Sequence, residues 1–169
     1  MDALDPDLDV AVAAMVAEDA RFVLIGGFAL TANGYVRATE DIDFLAPDDI
    51  DNDRRVLAAL LELDGVRYRD DAPLCDEHLL DKTHLRTKTR AGVIDILRGG
   101  LPPLDYATVE KRAMRAEYGG VEFLVAGLSS IVGFKRLADR PRDRNDLIGL
   151  AEIHGELPVE SIPGLDTDT

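Results

Sequence analysis

Asp41 and Asp43 are the residues on which chemistry is easiest to build. They stand in Glu40-Asp41-Ile42-Asp43-Phe44-Leu45, a run with the alternation of a half-buried strand. Residues i and i+2 of a strand share a face, so the two carboxylates project together while Ile42 and Phe44 turn toward a core. Paired carboxylates are hard-oxygen ligands of the kind that hold Mg²⁺ together with substrate phosphates. A third carboxylate nearby would allow an in-line displacement at phosphorus. In a chain with 33 acidic residues, a bare Asp-x-Asp also reads as ordinary solvated acid on an amphipathic strand. Its surroundings are more specific: Gly26-Gly27 upstream, then Arg37 and Thr39 just before the acids.

Upstream of the acids, Phe22 to Ile25 is a continuous apolar run, suited to a strand buried on both faces. Gly26 and Gly27 break it and permit close backbone approach to a ligand. Phe28 to Gly34 is expected to be a short helix whose first N–H groups face that turn, an anion site. Before this unit, Leu8 to Ala20 has helical periodicity; after it, Ile50 to Leu63 carries an apolar stripe and is closed by Gly65. Val66 to Cys75 reads as irregular with room for a short strand, and Asp76 to Asp81 is ambiguous.

Lys82 to Arg98 reads as a β-hairpin turning at Ala91-Gly92. Lys82, His84, Arg86, Lys88 and Arg90 then share one strand face. A two-residue loop at that turn sets Arg90 opposite Val93 and Lys88 opposite Asp95, with Leu85, Thr87, Ile94 and Ile96 on the other face. Asp95 is an isolated acid in the apolar run Val93 to Leu97. It is either the partner of Lys88 across the strands or a third carboxylate of the site. Leu104 to Arg115 reads as partly helical, Tyr118-Gly119-Gly120 as a turn and Val121 to Val125 as a strand. Two helices follow, Ser129 to Leu137 and Arg140 to about His154, with Pro141 suited to a first helical turn.

The pattern Gly-Gly…Arg-x-Thr-x-Asp-x-Asp resembles the nucleotidyltransferase superfamily to which DNA polymerase β belongs, and within it the small bacterial nucleotidyltransferases of the AbiEii toxin-like group. A second stretch, Lys135-Arg136-Leu137-Ala138-Asp139-Arg140-Pro141-Arg142-Asp143-Arg144-Asn145-Asp146-Leu147, resembles the Lys-x-x-Ala-x-Arg-x-Lys-Asp-x-x-Asp-Leu motif of the same group. Without the upstream motif it would read as a solvated, charge-rich helix pair. The resemblance covers roughly residues 22 to 150. It implies an α/β fold, a small mixed sheet with helices on one face and a C-terminal helical part closing a cleft. It implies transfer of a nucleoside monophosphate from an NTP, ATP among the candidates, to an acceptor hydroxyl or phosphate.

On that resemblance Asp41, Asp43 and Asp95 would hold Mg²⁺ or Mn²⁺. Gly26, Gly27, Arg37, Thr39, Lys135 and Arg140 would bind the nucleotide, with Lys135 on its phosphates. Arg140, Asp143 and Asp146 would order the second motif by ion pairing. Many relatives have Gly-Ser where this chain has Gly26-Gly27, so phosphate contacts would rest on backbone N–H groups with help from Thr31, Thr39 or Arg37. The acceptor stays open among an RNA end, a protein side chain and a small molecule, as in aminoglycoside-type adenylyltransferases. A non-catalytic, nucleotide- or partner-binding member is the other reading. Membership of a toxin–antitoxin pair would add an antitoxin protein as partner.

Composition sets the outer bounds. A chain of 169 residues with 46% apolar content is expected to form one domain over residues 1–155, with its core in 22–98 and a helical part in 127–155. The acidic, proline-containing segment 156–169 is expected to be a flexible tail. The net charge of −14 argues against general nucleic-acid or membrane binding, though not against a local basic groove. The single cysteine, Cys75, excludes an internal disulfide and fits the cytoplasm; His78, His84 and His154 lack zinc-ligand spacing.

Overall fold

The computed structural model describes residues 5–79 and 83–166. Its elements in chain order are α1 (Leu8–Ala17), β1 (Val23–Ile25), α2 (Gly26–Ala32), β2 (Asp41–Ala46), α3 (Ile50–Glu62), β3 (Val66–Arg67), β4 (His84–Thr89), β5 (Gly92–Arg98), α4 (Tyr106–Lys111), β6 (Met114–Tyr118), β7 (Val121–Val125), α5 (Leu128–Ala138) and α6 (Pro141–His154). A 3₁₀ turn covers Asp76–His78. Among the described residues the strands form one mixed sheet in the order β3-β4-β5-β2-β1-β7-β6. β2 runs parallel to β5, and β1 parallel to β7; the other neighbours are antiparallel. No helix among these residues is long and apolar enough to cross a membrane.

β2 is central, between β1 and β5, and its alternation decides the layout. Ile42 and Phe44 are fully buried, and they share one core with Ile94 and Ile96 of β5, Leu85 of β4, and Val12, Met15, Val56 and Leu60 from α1 and α3. Phe22 meets Phe44 edge-on at 4.9 Å between ring centroids. The opposite face of β2 and β5 carries Asp41, Asp43 and Asp95 beside the buried Leu45 and Val93. Local chemistry fixes the helices: Asp7 caps α1 by accepting from Val10 N at 3.2 Å, and Asp49 caps α3 by accepting from Asn52 N at 2.8 Å.

Several boundaries differ from the sequence reading. α1 stops at Ala17, because Asp19 takes a left-handed conformation and Ala20 N bonds back to Met15 O. α3 likewise ends on a left-handed Asp64; Gly65 follows it and is needed for space, since a Cβ there would lie 2.5 Å from Leu60 O. In the β4–β5 hairpin the turn residues are Arg90 and Ala91, with Gly92 at φ +100° directly after them. The register is therefore two residues from the expected one: Lys88 opposes Val93, and Arg86 opposes Asp95. A shift of two keeps every side chain on its expected face. Lys82 of the expected basic stripe lies outside the described residues.

β6 replaces the end of an expected helix. It is an exposed edge strand, so it lacks the apolar alternation that marks a half-buried one. The segment after α6 also departs from expectation. Ile162 is buried, Arg112 pairs with Glu160, and Arg136 pairs with Asp166, so residues 156–166 lie against α4 and α5 rather than forming a free tail.

Candidate active site

The three acids reach one cleft by strand pairing. Parallel pairing of β2 with β5 sets Asp43 beside Asp95, with Asp41 two residues up the same face. All nine residues named for the site, Gly26, Gly27, Arg37, Thr39, Asp41, Asp43, Asp95, Lys135 and Arg140, line a single cleft of about 370 Å³. Thr31 and Lys88 do not line it. His84, Arg86, Phe134 and Arg142 do. His84 and Arg86 were legible as part of a basic strand face. Phe134 directly precedes the second motif and carried no separate signal, whereas Arg142 lies within it, at the position of the motif's second lysine.

The glycines are the first turn of α2, not a loop ahead of it. Gly26 has φ +70°, and a Cβ on it would stand 2.1 Å from Asp43 Oδ2; a Cβ on Gly27 would stand 2.5 Å from Thr39 Oγ1. The close fit of backbone against Asp43 and Thr39 therefore needs both residues to lack a side chain. Gly26→Ala is expected to lower stability by about 3 kcal/mol, from left-handed strain plus overpacking. The control is Gly120→Ala, where φ is +79° but no atom lies within 4 Å of the added Cβ. That change should cost only about 1–2 kcal/mol of strain. Urea denaturation of the two variants separates space from strain; equal losses would contradict the steric reading of Gly26.

The carboxylates are crowded. Burial, then the charges of Asp95 and Asp41, push the Asp43 carboxyl up to about 6, against a downward pull from Lys135 and Arg86. Burial also raises Asp95, opposed by Arg86 and His84. Asp95 Oδ1 meets His84 Nε2 at 2.8 Å, while Arg86 Nη1 donates to Asp95 Oδ2 at 2.5 Å and to Asp41 Oδ2 at 3.0 Å.

On the facing wall Lys135 is buried, and its Nζ reaches Asp143 Oδ1 at 3.0 Å and Asp146 Oδ2 at 2.9 Å. Arg140 donates from Nε to Asp143 Oδ2 at 2.6 Å. Arg37 grips Asp146 side-on, Nε to Oδ1 at 2.7 Å and Nη2 to Oδ2 at 3.0 Å, and spends Nη1 on Ala38 O at 2.9 Å. The expected ion-paired order of Arg140, Asp143 and Asp146 is present. Arg37, expected to bind the nucleotide, lines the cleft and also holds the acid that holds Lys135.

This donor set suits a divalent cation. It is all hard oxygen, it carries three negative charges against the one arginine that touches it, and backbone without side chains lies against Asp43. Among the described residues no three acidic, His or Cys side chains stand ready as a metal cage.

Comparison with known proteins gives the same outline. The family model for the nucleotidyl transferase AbiEii toxin of type IV toxin–antitoxin systems matches residues 10–150. No curated protein matches the sequence. Among solved structures, ANT(2″)-Ia in complex with adenylyl-2″-tobramycin is similar with a TM-score of 0.59 at 16% identity, over 86% of each chain. An antigenic nucleotidyltransferase-like protein from Paracoccidioides brasiliensis is similar with a TM-score of 0.53 at 14% identity, over 88% of this chain and 78% of that one. JHP933 from Helicobacter pylori gives 0.50 at 22% identity, over 85% of this chain and 63% of that one. At these identities the structural likeness is one of fold.

Proposed function

Because the chain belongs to the AbiEii nucleotidyltransferase family, we propose that it transfers a nucleoside monophosphate from an NTP to an acceptor hydroxyl or phosphate and releases pyrophosphate. The observation that carries this reading is the meeting of Asp41, Asp43 and Asp95, from two parallel strands, in a cleft whose other wall presents Lys135. The cleft volume of about 370 Å³ is within the range of small-molecule sites.

Asp41, Asp43 and Asp95 would hold Mg²⁺ or Mn²⁺, which supplies Lewis-acid polarisation of the phosphoryl oxygens. The chain's own groups do the rest. Gly26 and Gly27 let the triphosphate approach the backbone, and Thr39 fixes that turn through its contact with Gly27. Lys135, pinned by Asp143 and Asp146, presents a fixed positive charge to the phosphates. Arg140 and Arg142 add charge at the rim. Asp95, beside the metal ligands, is placed to accept the acceptor's hydroxyl proton. The new P–O bond forms at the α-phosphorus as the bond to the pyrophosphate oxygen breaks.

The toxin role, with an antitoxin as protein partner, follows from the family and is part of the proposal, as is a cytoplasmic place of action, where NTP is at hand. The acceptor is decided by trial: α-labelled NTP is offered with RNA, with protein extract and with an aminoglycoside, and the labelled product identifies the class.

The test is calorimetry of each NTP with and without Mg²⁺, on wild type and on Asp41→Asn. Metal-dependent binding that the substitution weakens at least about tenfold is expected, and it names the base for the acceptor trial. Absence of binding by every NTP in the wild type, with metal and each acceptor class present, would move the chain to a non-catalytic role.

A further inference from the structure

Arg86 occupies the place a cation would take. One nitrogen, Nη1, bridges Asp41 Oδ2 and Asp95 Oδ2, carboxylates from two different strands. The register of β4 puts it there, since Arg86 stands opposite Asp95. The other oxygen of Asp95 is taken by His84. Oδ2 is therefore the oxygen left to ligate an ion, and it is the one Arg86 holds. A guanidinium and a metal ion cannot both use it at ligand distance.

The arginine also has somewhere to go. Its side chain is about one-third exposed, so it can leave without unpacking the core. Its Cζ already lies 4.6 Å from the centroid of the Tyr68 ring, a face that holds a guanidinium released from its carboxylates. Lys88, whose Nζ is 5.2 Å from the same ring, is tied to Asp71 at 2.8 Å and does not reach the three acids to replace Arg86.

We propose that Arg86 is an internal counter-ion that competes with the divalent cation for Asp41 and Asp95, and that cation entry moves it off both oxygens onto the face of Tyr68. This rests on Asp41, Asp43 and Asp95 being the metal ligands. In the free protein Arg86 holds two of the three crowded carboxylates together. Its presence makes the site bind metal more weakly than its charge alone predicts. Displaced, it stays beside the cleft and frees Asp95 Oδ2 for the metal.

The experiment is a calorimetric titration of the full chain, stripped of metal, with Mn²⁺ alone, for wild type and Arg86→Gln. The variant is expected to bind Mn²⁺ at least about tenfold more tightly, since no charge-assisted hydrogen bond has to be broken first. Its metal-free form should melt lower than wild type, and Mn²⁺ should raise its melting temperature by more. A second measurement needs no variant: the Arg86 Nε–H resonance of the wild type should shift as Mg²⁺ is added. If wild type binds Mn²⁺ and the variant binds it equally or less tightly, or if the Arg86 resonance stays still while metal binds, the counter-ion role is overturned and the metal site stands. If neither protein binds Mn²⁺ or Mg²⁺, the metal reading of the cleft falls and takes this one with it.

Discussion

Asp43→Asn is expected to reduce nucleotidyl transfer by at least about a thousandfold while leaving the metal-free protein as stable as wild type or more so. The two halves have one cause. Asp43 is placed by β2 beside Asp95 and two residues from Asp41, and its carboxyl is pushed up to about 6 by burial and those two charges. In the folded, metal-free chain its ionised form is therefore a strained one, and a neutral amide of the same shape removes repulsion without leaving a hole. The charge is wanted only when a cation is bound. An amide offers a ligand oxygen but not the charge that draws in a divalent ion and balances it. Label transfer from NTP to the identified acceptor checks the first half, and thermal unfolding without metal checks the second. Full transfer by the variant would sink the assignment of Asp43. Lost transfer together with a much lower melting temperature would turn Asp43 into a structural residue.

The sequence made the alternation at Asp41, Ile42, Asp43 and Phe44 plain, because one period of two separates ligand face from core face. It could not say which strand lies next to β2. Asp95 joins Asp43 only through a parallel pairing between segments about fifty residues apart, and the apolar run around Asp95 fits any buried strand. The hairpin holding Asp95 was legible as a hairpin. Its register was not, since Gly92 serves better just after the turn than within it, and Thr89 Oγ1 accepts from Ala91 N to fix that choice. Edge strand β6 shows the converse: Gly119-Gly120, both at positive φ, is a two-residue turn between Tyr118 and Val121 and was a usable hairpin signal, but the exposed partner strand has no periodicity to read. The acidic run after α6 looked unattached because its partners, Arg112 and Arg136, are distant in sequence.

The same long reach makes Asp146 the stability counterpart of Asp43. Asp146→Ala is expected to cost about 3–5 kcal/mol, the size seen when one partner of a buried ionic group is removed. Asp146 is almost fully buried and joins Arg37, from the approach to β2, to Lys135 on α5. Truncation strands the Arg37 guanidinium and leaves Lys135 on Asp143 alone. Neighbouring Asp143 belongs to the same network. Burial would raise both carboxyls, but hydrogen bonds from Arg140 and Lys135 hold Asp143 down to about 2, and those from Arg37 and Lys135 hold Asp146 below its ordinary range. A depressed acid favours the folded state above its unfolded value and loses that benefit as pH falls through the folded one. For Asp143, falling from 3.8 to about 2 corresponds to about 2 kcal/mol, present above pH 4 and lost toward pH 2. Asp146 follows the same direction. Urea denaturation of wild type and Asp146→Ala across pH 3 to 7 should therefore give a difference that is greatest near neutrality and begins to shrink below pH 4, where the unfolded chain takes up a proton on Asp146 that the folded one, held below its ordinary range, does not yet bind. A difference that stays constant across that range would mean that packing around the side chain, not its charge, is what holds Lys135 in place.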